Sequence, residues 1–571
     1  MDLNQKVEWF LKYYSGYESH SNMYEERLEK DNNFCVDLGI EQYILDSLKT
    51  NTLIVLTGDA GDGKTKVIRN IQTVISSSID IEFIEDFSEL SITEQERYLD
   101  KIHSEIKENK LDKKFIIAGN SGIFTKALIN YDNNNDDIND SKLFDLIENR
   151  KNSIIINFNK RNFGREPING EIKNTQLYEI VSGFISDIEQ CKKQCVTKER
   201  GLCPFEFNIN MLRKPTVIEG LRAMLHTLFL IGIHVTFREL LSVLAYSITG
   251  GKKCSDFIEL STHSVRYLFF NNLFEYTIRK EGNDRILSEF SKIDIAYKDI
   301  SEFDYKIYTI NEFFMQHIDK VLYNNYILYE EKNNADIFTK KLLRNSFIKR
   351  YLFFVAPNLL HNSNDTLSLL PLKYIKEFNK VINEIRFNSL LTNRDRNQLI
   401  QGIELGLNRL AAPKSTNGSF EVYDSPTMIS HNFKIKYKIN MSDIELLFIL
   451  EDNENDKNLN VKNLSYDENN FYIRAFKDDN PIEPIAFLKI DYELFEQICM
   501  ARDGVIYPAR KGNTRDSRLD TFREDIVYNM VIKDNLEVCW TGIDKSFAEN
   551  FKLVVFNNRR TNSKGVSVEK I

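Results

Sequence analysis

The sequence predicts an α/β domain whose parallel sheet carries helices on both faces, followed by a mostly helical region and a C-terminal α+β domain. Three observations lead to this prediction. The stretch 53–71 begins with the apolar run Leu53-Ile54-Val55-Leu56, continues into a glycine-rich loop and ends as a helix-like segment. Further apolar runs alternate with helical segments up to about residue 160, which is the pattern of a parallel sheet. Beyond residue 413 apolar and polar residues alternate singly, which is the period of strands.

The loop after the first apolar run has the spacing of a phosphate-binding loop. Its sequence, Gly58-Asp59-Ala60-Gly61-Asp62-Gly63-Lys64-Thr65, fits the pattern G-x-x-x-x-G-K-[ST]. Glycines let successive backbone N–H groups turn inward towards a phosphate chain, and the following helix aims its positive end at the same place. We expect Lys64 to reach the β- and γ-phosphates and the Thr65 hydroxyl to bind Mg²⁺. The loop therefore predicts a P-loop NTPase core, and the alternative is a glycine-rich turn before an ordinary helix.

Changes in pattern divide the chain of 571 residues into five segments. They are an N-terminal helical segment, 1–50, that packs on the core; the P-loop NTPase core, 51–166; a helical lid-like segment with a cysteine cluster, 167–255; a helical region, 256–412; and the α+β domain, 413–571. A chain of this length can bury several separate cores. The stretch 411–418, AAPKSTNG, is typical of a linker.

Polar residues follow the predicted strands of the core. Glu85 and Asp86 end the run that starts at Ile81, Asn120 follows the next run, and Asn159 follows the last one. Ligands bind at the carboxyl ends of parallel strands, so we expect these side chains to converge on the loop. Asp86, or Glu85, is the candidate for holding Mg²⁺ and polarising the attacking water. Asn120 is the candidate for sensing the γ-phosphate; the alternatives are solvated acids and a turn-forming asparagine.

Two arginines are candidates for contact with the γ-phosphate. Arg161 follows the last strand of the core, and Arg238 lies in the first turn of a helix that opens with the capping box Thr236 to Glu239. Because Arg238 belongs to the lid-like segment, it would couple the nucleotide state to the position of that segment. A solvated arginine on a polar helix face is the alternative. The sequence Asn159-Lys160-Arg161-Asn162 lacks the aspartate of a guanine-reading N-K-x-D motif, which favours ATP over GTP.

A cysteine cluster suggests a structural metal. Cys191, Cys195 and Cys203 have the spacing C-x₃-C-x₇-C, and Cys254 could supply a fourth thiolate. Four thiolates suit tetrahedral zinc, and thiols without a ligand role prefer burial to a charged stretch such as 190–200. Zinc is therefore the prediction, with three free thiols as the alternative.

The composition indicates a soluble protein of mildly acidic balance. The chain has 75 Lys and Arg against 84 Asp and Glu, a net charge of −9, with 42% hydrophobic and 28% charged residues. The N-terminus has no apolar signal-peptide region, and the longest apolar stretch, 223–237, is too short to span a bilayer. Seven cysteines without an even framework are typical of a reducing compartment. We therefore expect a cytoplasmic location and no membrane contact.

The acidic balance means that any nucleic-acid role depends on local patches or on a partner, because phosphate contacts dominate such binding. Basic clusters occur at 340–350, 510–518 and 559–560. The second, with Arg510, Lys511, Arg515 and Arg518, has the aromatic and glycine neighbours of a phosphate-contacting loop. It is the candidate for DNA or RNA contact, and a solvated charged face is the alternative.

Taken together and in order, these motifs resemble one family. They are GDAGDGKT (58–65), DFSE (86–89), AGNSG (118–122), NFNKR (157–161), the Cys191, Cys195 and Cys203 cluster, and TFRELL (236–241). The set is similar to the DNA phosphorothioation-dependent restriction protein DptF family, over about 50–255 and more loosely over 405–525. The resemblance implies an ATPase subunit that works with other subunits of a bacterial defence complex on invading DNA.

The sequence thus predicts an ATP-binding and ATP-hydrolysing subunit of a bacterial restriction or antiphage system, with ATP and Mg²⁺ as ligands and a structural Zn²⁺. DNA would be contacted directly or through partners, and the oligomeric state is open. Two alternatives remain: a nucleotide-dependent switch or scaffold with slow hydrolysis, and a small-molecule kinase.

Overall fold

The computed structural model describes most of the chain. The described residues are 3–16, 39–75, 80–108, 113–134, 142–148, 152–167, 170–186, 202–258, 261–279, 282–300, 303–305, 316, 318–360, 366–387, 393–411, 419–423, 433–440, 444–450, 467–477, 484–505, 517–530, 536–540, 551–558 and 563–570. They fall into two compact units, the first of 1–373 with 452–467 and the second of 374–451 with 468–571. No helix among the described residues combines the length and apolar content that a bilayer crossing needs.

The first unit contains one sheet and most of the helices. Its strands are β1 Leu53–Thr57, β2 Asp80–Ile84, β3 Lys113–Gly119 and β4 Ser153–Asn157. Its helices are α1 Leu3–Leu11, α2 Ile40–Ser47, α3 Lys64–Val74, α4 Ile92–Lys107, α5 Ser121–Asn134, α6 Leu143–Glu148, α7 Gln176–Phe184, α8 Pro204–Leu212, α9 Pro215–Leu230, α10 Phe237–Thr249, α11 Phe269–Phe274, α12 Tyr276–Arg279, α13 Arg285–Lys292, α14 Lys320–Lys332 and α15 Ile337–Val355.

The sheet is parallel with the strand order β2-β3-β1-β4. Its two faces are covered by different helices, as predicted. On one face Ile54 packs with Ile44 of α2 and Ile68 of α3. On the other face Val55 packs in a cluster with residues of α4, α5 and α6. Burial on both faces explains why every residue of β1 is apolar except the last.

Helix α2, directly before β1, packs on the sheet, whereas α1 packs elsewhere, with the Trp9 ring 5.2 Å from the Phe184 ring of α7. Ile40, Tyr43, Ile44 and Leu48 share a buried cluster with residues of β1, β3 and β4. The capping box predicted at Thr236 is present, and a second capping box begins α4. Glu94 accepts a hydrogen bond from the Ser91 backbone N–H at the start of α4, and Glu239 does the same for Thr236 at the start of α10.

Charged residues of α15 are buried rather than solvated. The Arg350 guanidinium pairs with Asp294 at 2.5 Å and with Glu275 at 2.6 Å, and the Lys349 ammonium pairs with Asp304 at 2.6 Å. Both cations are at most 5% exposed. These two members of the 340–350 basic cluster are therefore paired inside the helical region, since buried charges need partners.

The second unit contains antiparallel sheets with helices, as the period of the sequence predicted. Its helices are α16 Ile375–Phe387, α17 Asn393–Ala411, α18 Tyr492–Arg502 and α19 Ser517–Met530. Its strands are β5 Ser419–Tyr423, β6 Phe433–Asn440, β7 Ile444–Ile449, β8 Phe471–Lys477, β9 Ala486–Ile490, β10 Leu536–Trp540, β11 Phe551–Asn558 and β12 Ser563–Lys570. The strand orders are β10-β6-β5, β7-β8-β9 and β11-β12. Helices α16 and α17, which precede the expected boundary at 412, belong to this unit.

Candidate functional site

The glycine-rich loop joins the end of β1 to the start of α3, at the carboxyl edge of the parallel sheet. Gly58, Gly61 and Gly63 have φ angles of 143°, 96° and 88°, a region that residues with a Cβ rarely adopt. A Cβ on Gly58 would also lie 2.7 Å from Asp62 Oδ2 and 2.8 Å from Phe158 Cβ. The backbone path of the loop therefore depends on its glycines.

Lys64, the first residue of α3, folds back across this loop. Its Nζ donates hydrogen bonds to the carbonyl oxygens of Gly58 at 2.9 Å and Asp59 at 2.7 Å. Burial lowers the pKa of Lys64, and the carboxylates of Asp62, Asp86 and Asp59 act in the opposite direction. The ammonium thus closes the loop with a positive charge that carbonyl dipoles hold in place.

Asp62 is a buried carboxylate within the loop itself, with 2% of its surface exposed. Its Oδ2 accepts the Asp59 backbone N–H at 2.7 Å, and its Oδ1 lies 2.8 Å from His234 Nε2. Asn159 Oδ1, from the end of β4, also accepts the Asp59 N–H, at 3.0 Å. Two side-chain oxygens of this chain therefore accept the Asp59 amide hydrogen.

The first turn of α10 lies directly against the loop. The Arg238 backbone N–H donates to the Gly61 carbonyl at 3.1 Å. A Cβ on Gly61 would lie 3.0 Å from Arg238 Cβ and 3.4 Å from Thr236 Oγ1. The structure thus brings Arg238 to the loop, and His234 just before α10 adds a second contact through Asp62.

His234 is a residue that the sequence analysis missed. It lies 172 residues from Asp62, and a histidine between two helices has no local pattern to mark it. Its side chain is 13% exposed, and its Nδ1 is buried without a hydrogen-bond partner. Asn159 lies at the loop, as its place at a strand end predicted, but its role as an acceptor for the Asp59 N–H was not predicted.

Glu85 and Asp86 have different surroundings. Glu85 pairs with Arg69 of α3 at 3.1 Å, and both side chains are about two-fifths exposed. Asp86 Oδ1 accepts the Ser88 backbone N–H at 2.8 Å, and its charge acts on Lys64. Of the two carboxylates, Asp86 is the one that acts on the loop lysine, although β3 separates its strand from β1.

Asn120 begins the helix after β3, the strand next to β1. Its Oδ1 accepts the backbone N–H groups of Gly122 at 2.9 Å and Ile123 at 3.4 Å. Its own N–H donates to Ser88 Oγ at 3.0 Å, which ties the ends of β2 and β3 together. The side-chain oxygen therefore caps α5, and a sensing role would fall to the amide nitrogen.

Arg161 lies within the protein, 4% exposed. Its Nε donates to Gln176 Oε1 at 3.3 Å, and its guanidinium lies 4.7 Å from the centre of the Phe163 ring. The neighbouring Asn162 Nδ2 contacts His226 Nδ1 at 2.9 Å and donates to Asp467 Oδ2 at 3.0 Å. This segment therefore anchors the end of β4 to α7 and α9.

The cysteine cluster is only partly described. Cys203 is buried at the N-cap of α8, and Cys254 begins a short 3₁₀ helix, Cys254–Ile258. Cys191 and Cys195 lie outside the described residues. Among the residues that are described, no group of three or more His, Cys, Asp or Glu is arranged to hold a metal ion. Zinc binding at the four cysteines stays a prediction.

The basic loop predicted to contact nucleic acid also lies largely outside the described residues. Of its four cations, Arg518 is described, and its Nη1 pairs with Asp491 Oδ2 at 2.6 Å. Arg510, Lys511 and Arg515 are not described, and neither are Arg559 and Arg560.

Comparisons with known proteins add no relative to this picture. The sequence matches no protein-family model, and neither the curated proteins nor the solved structures include one that is similar to it. A function must therefore be argued from the geometry of the loop and its neighbours.

Proposed function

We propose that the chain binds ATP with Mg²⁺ in the loop 58–65 and hydrolyses it as a subunit of a bacterial restriction or antiphage system that acts on DNA. One observation carries the nucleotide part. A lysine ammonium spans a loop of three positive-φ glycines at the carboxyl edge of a parallel sheet, which is where anions bind in such folds. The defence setting rests on the resemblance of the ordered motifs to the DptF family.

The residues of the loop fit a triphosphate. Lys64 would exchange its two carbonyl acceptors for phosphate oxygens. Hydrogen bonds from an ammonium to charged oxygens are stronger than those to neutral carbonyls. The backbone N–H groups at the start of α3 face the same space. Bound Mg²⁺ would neutralise charge on the β- and γ-oxygens. Thr65 and Asp86 are its protein ligands in this proposal, a number consistent with an ion that keeps several waters.

Two residues would act on the terminal phosphate. The Arg238 side chain starts from α10, whose backbone already contacts the loop. The Asn120 amide nitrogen starts from the strand end next to β1. Phosphoryl transfer depends mainly on positioning and charge stabilisation, so these groups would hold the γ-phosphate and water in line.

The contacts between the loop and α10 favour a second candidate function, a nucleotide-dependent switch with slow hydrolysis. A phosphate that took the Asp59 N–H would compete with Asp62 and Asn159. Asp62 also holds His234, so the same competition would loosen the attachment of the segment before α10. This switch would bind ATP at the same site as the ATPase but would hydrolyse it more slowly.

Titration calorimetry with ATP and Mg²⁺ tests the shared site. We expect heat of binding for the full-length protein and its loss in Lys64→Ala. Lys66→Ala is the matched control, because Lys66 is exposed on the same helix and should bind as the wild type does. Absence of binding to the folded wild type, or equal binding by Lys64→Ala, would refute the nucleotide site.

Steady-state turnover separates the candidates. Strong stimulation of ATP hydrolysis by duplex DNA supports the restriction subunit. A nucleotide-dependent change in oligomer size without turnover supports the switch. Transfer of phosphate to a metabolite in the absence of partners would instead identify a small-molecule kinase. Affinity purification from the native host adds an independent readout, since recovery of DNA-processing subunits is expected only for the first candidate.

A further inference from the structure

In the second unit, the sheet β7-β8-β9 packs one face on helices, and its other face is partly exposed. Phe471, Ile473, Leu488 and Ile490 are buried on the covered face. There the Phe378 ring of α16 lies 6.0 Å and the Phe495 ring of α18 lies 6.3 Å from the ring of Phe471. The alternate residues of the same strands must point to the opposite face.

This opposite face carries aromatic, aliphatic and basic side chains in two rows. The pairing register places Ile449, Tyr472 and Lys489 in one row and Leu447, Arg474 and Phe487 in the next. Phe487 is 53% exposed and Leu447 is 45% exposed. We call Leu447, Tyr472, Arg474, Phe487 and Lys489 the aromatic–basic face.

The rings of Tyr472 and Phe487 each have a cation beside them. The Arg474 guanidinium lies 5.6 Å from the centre of the Phe487 ring, and the Lys489 ammonium lies 5.8 Å from the centre of the Tyr472 ring. Solvent faces of antiparallel sheets usually carry polar residues that alternate with the core. What distinguishes Phe487 from other exposed rings is its place beside Leu447 and Arg474 on one face of a sheet.

The charges indicate what kind of occupant fits. Interfaces with other proteins are depleted in lysine at their centre, whereas here Lys489 lies beside the Tyr472 ring. Rings that stack on bases and cations that meet phosphates are the combination by which sheet surfaces bind unpaired nucleic acid. Diagonal neighbours on a sheet, such as Tyr472 and Phe487, are about 7–8 Å apart, which leaves room for two bases side by side.

We propose that the aromatic–basic face binds single-stranded nucleic acid, with bases stacked on Tyr472 and Phe487 and phosphates held by Arg474 and Lys489. This proposal adds a direct nucleic-acid contact to the proposed function. A role of this face in DNA surveillance rests on that proposed function. The binding itself needs no ATP and can be tested apart from the loop.

Fluorescence anisotropy on the full-length protein tests the stacking. The probe is labelled oligo-dT of about 20 nucleotides, longer than the sites of typical single domains, and no nucleotide is added. We expect Phe487→Ala and Tyr472→Ala each to weaken binding about tenfold or more. Phe338→Ala is the matched control, since Phe338 is 66% exposed in the first unit and should leave binding unchanged. Circular dichroism checks that each variant is folded.

The salt dependence tests the phosphate contacts. Each phosphate contact to a single strand contributes about −0.7 to the slope of log K against log salt, so Lys489→Gln should reduce the slope by about that amount. Lys332→Gln, at an exposed position of the first unit, should leave the slope as it is. A parallel titration with oligo-U identifies the source: tighter oligo-dT binding supports DNA as the ligand, and the reverse supports RNA.

Three results would overturn the proposal. One is the absence of oligonucleotide binding, and another is equal binding by Phe487→Ala and Phe338→Ala. The third is concentration-dependent self-association that Phe487→Ala abolishes, because a second copy would then cover the face. Lys64→Ala separates the two proposals: it should lose ATP and keep the oligonucleotide. Failure of ATP binding with intact oligonucleotide binding would refute the nucleotide site alone.

Discussion

At the residue scale, the geometry of the loop depends on a few residues whose positions are fixed by close contacts and hydrogen bonds. Gly61 is the clearest case, because both its φ of 96° and its 3.0 Å approach to Arg238 Cβ disfavour a side chain. Lys64 is held by two carbonyls, and Asp62 is held by the Asp59 amide and His234. The path of the loop is therefore organised by contacts within the chain.

Gly61→Ala tests this organisation. We expect a loss of unfolding free energy beyond the roughly 1 kcal/mol that a positive φ costs a residue with a Cβ, together with weaker ATP binding. Gly170→Ala is the control for strain alone, since Gly170 has a φ of 72° with open space around its Cβ position. Chemical denaturation and calorimetry measure the two quantities. Equal losses in both variants would mean that the contact between Gly61 and α10 contributes neither to stability nor to ATP binding.

Cys499 on α18 allows a prediction about pH. Burial raises the pKa of Cys499 to about 12, and the carboxylate of Glu377 acts in the same direction. The thiolate is the reactive form, so alkylation by iodoacetamide near pH 8.5, the ordinary pKa of a thiol, should be far slower in the folded than in the denatured protein. Because the folded pKa is raised, this thiol stabilises the fold below about pH 8.5 and loses that contribution as the pH rises. Mass spectrometry of Cys499 measures the rate; similar rates in both states would contradict the prediction.

At the element scale, α10 links the loop to the helical region of the first unit. Its capping box joins Thr236 Oγ1 to the Glu239 N–H at 3.2 Å and Glu239 Oε2 to the Thr236 N–H at 2.9 Å. Arg285 of α13 pairs with the same Glu239 at 2.9 Å. The start of α10 is thus held both by local sequence and by a neighbouring helix, which places Arg238 reproducibly against Gly61.

Thr236→Ala removes the cap of α10. We expect a loss of about 1 kcal/mol in unfolding free energy and a weaker affinity for ATP, because the first turn of α10 contacts the loop. Ser91→Ala is the matched control: it removes the serine of the capping box that begins α4, away from Gly61. Thermal unfolding and calorimetry would reveal the difference. Equal affinities for ATP in the two variants would show that the cap serves stability alone.

At the scale of the whole molecule, residues far apart in the chain complete the surroundings of the first sheet. Asp467, 5% exposed, is the last residue of the late segment 452–467 that belongs to the first unit. Its backbone N–H donates to the Lys160 carbonyl at 2.9 Å, and its Oδ2 accepts Asn162 Nδ2 from 305 residues away. The end of β4 therefore depends on a late part of the chain.

Asp467→Ala tests that dependence. Removing the carboxylate takes one acceptor from the buried Asn162 amide, and we expect the unfolding free energy to fall by about 1–3 kcal/mol. Glu493→Ala, an exposed acid in the second unit, should change it by less than about 0.5 kcal/mol. Chemical denaturation of the full-length variants compares them. A negligible change in Asp467→Ala would indicate that the segment 160–162 is held by its other contacts.

Much of the fold could be predicted because its signals are local. Each of these signals lies within about a dozen residues, the range over which periodicity and caps act. They are the glycine spacing, the apolar runs of β1, β3 and β4, and the two capping boxes. The change to single alternation likewise predicted β6 and β8. Local patterns failed for β7, Ile444–Ile449, since a short apolar run has no periodicity that separates strand from helix.

The sequence by itself determined the loop, the strands around it and the residue types at the strand ends. Only the tertiary structure decided which of these meet. It pairs Asp62 with His234 and Asn159 with the loop amide, assigns Glu85 to Arg69, and buries Lys349 and Arg350 with carboxylates. The physical reason is that hydrogen bonds and ion pairs depend on distance in space, and strand order and helix packing, which no short pattern encodes, set those distances.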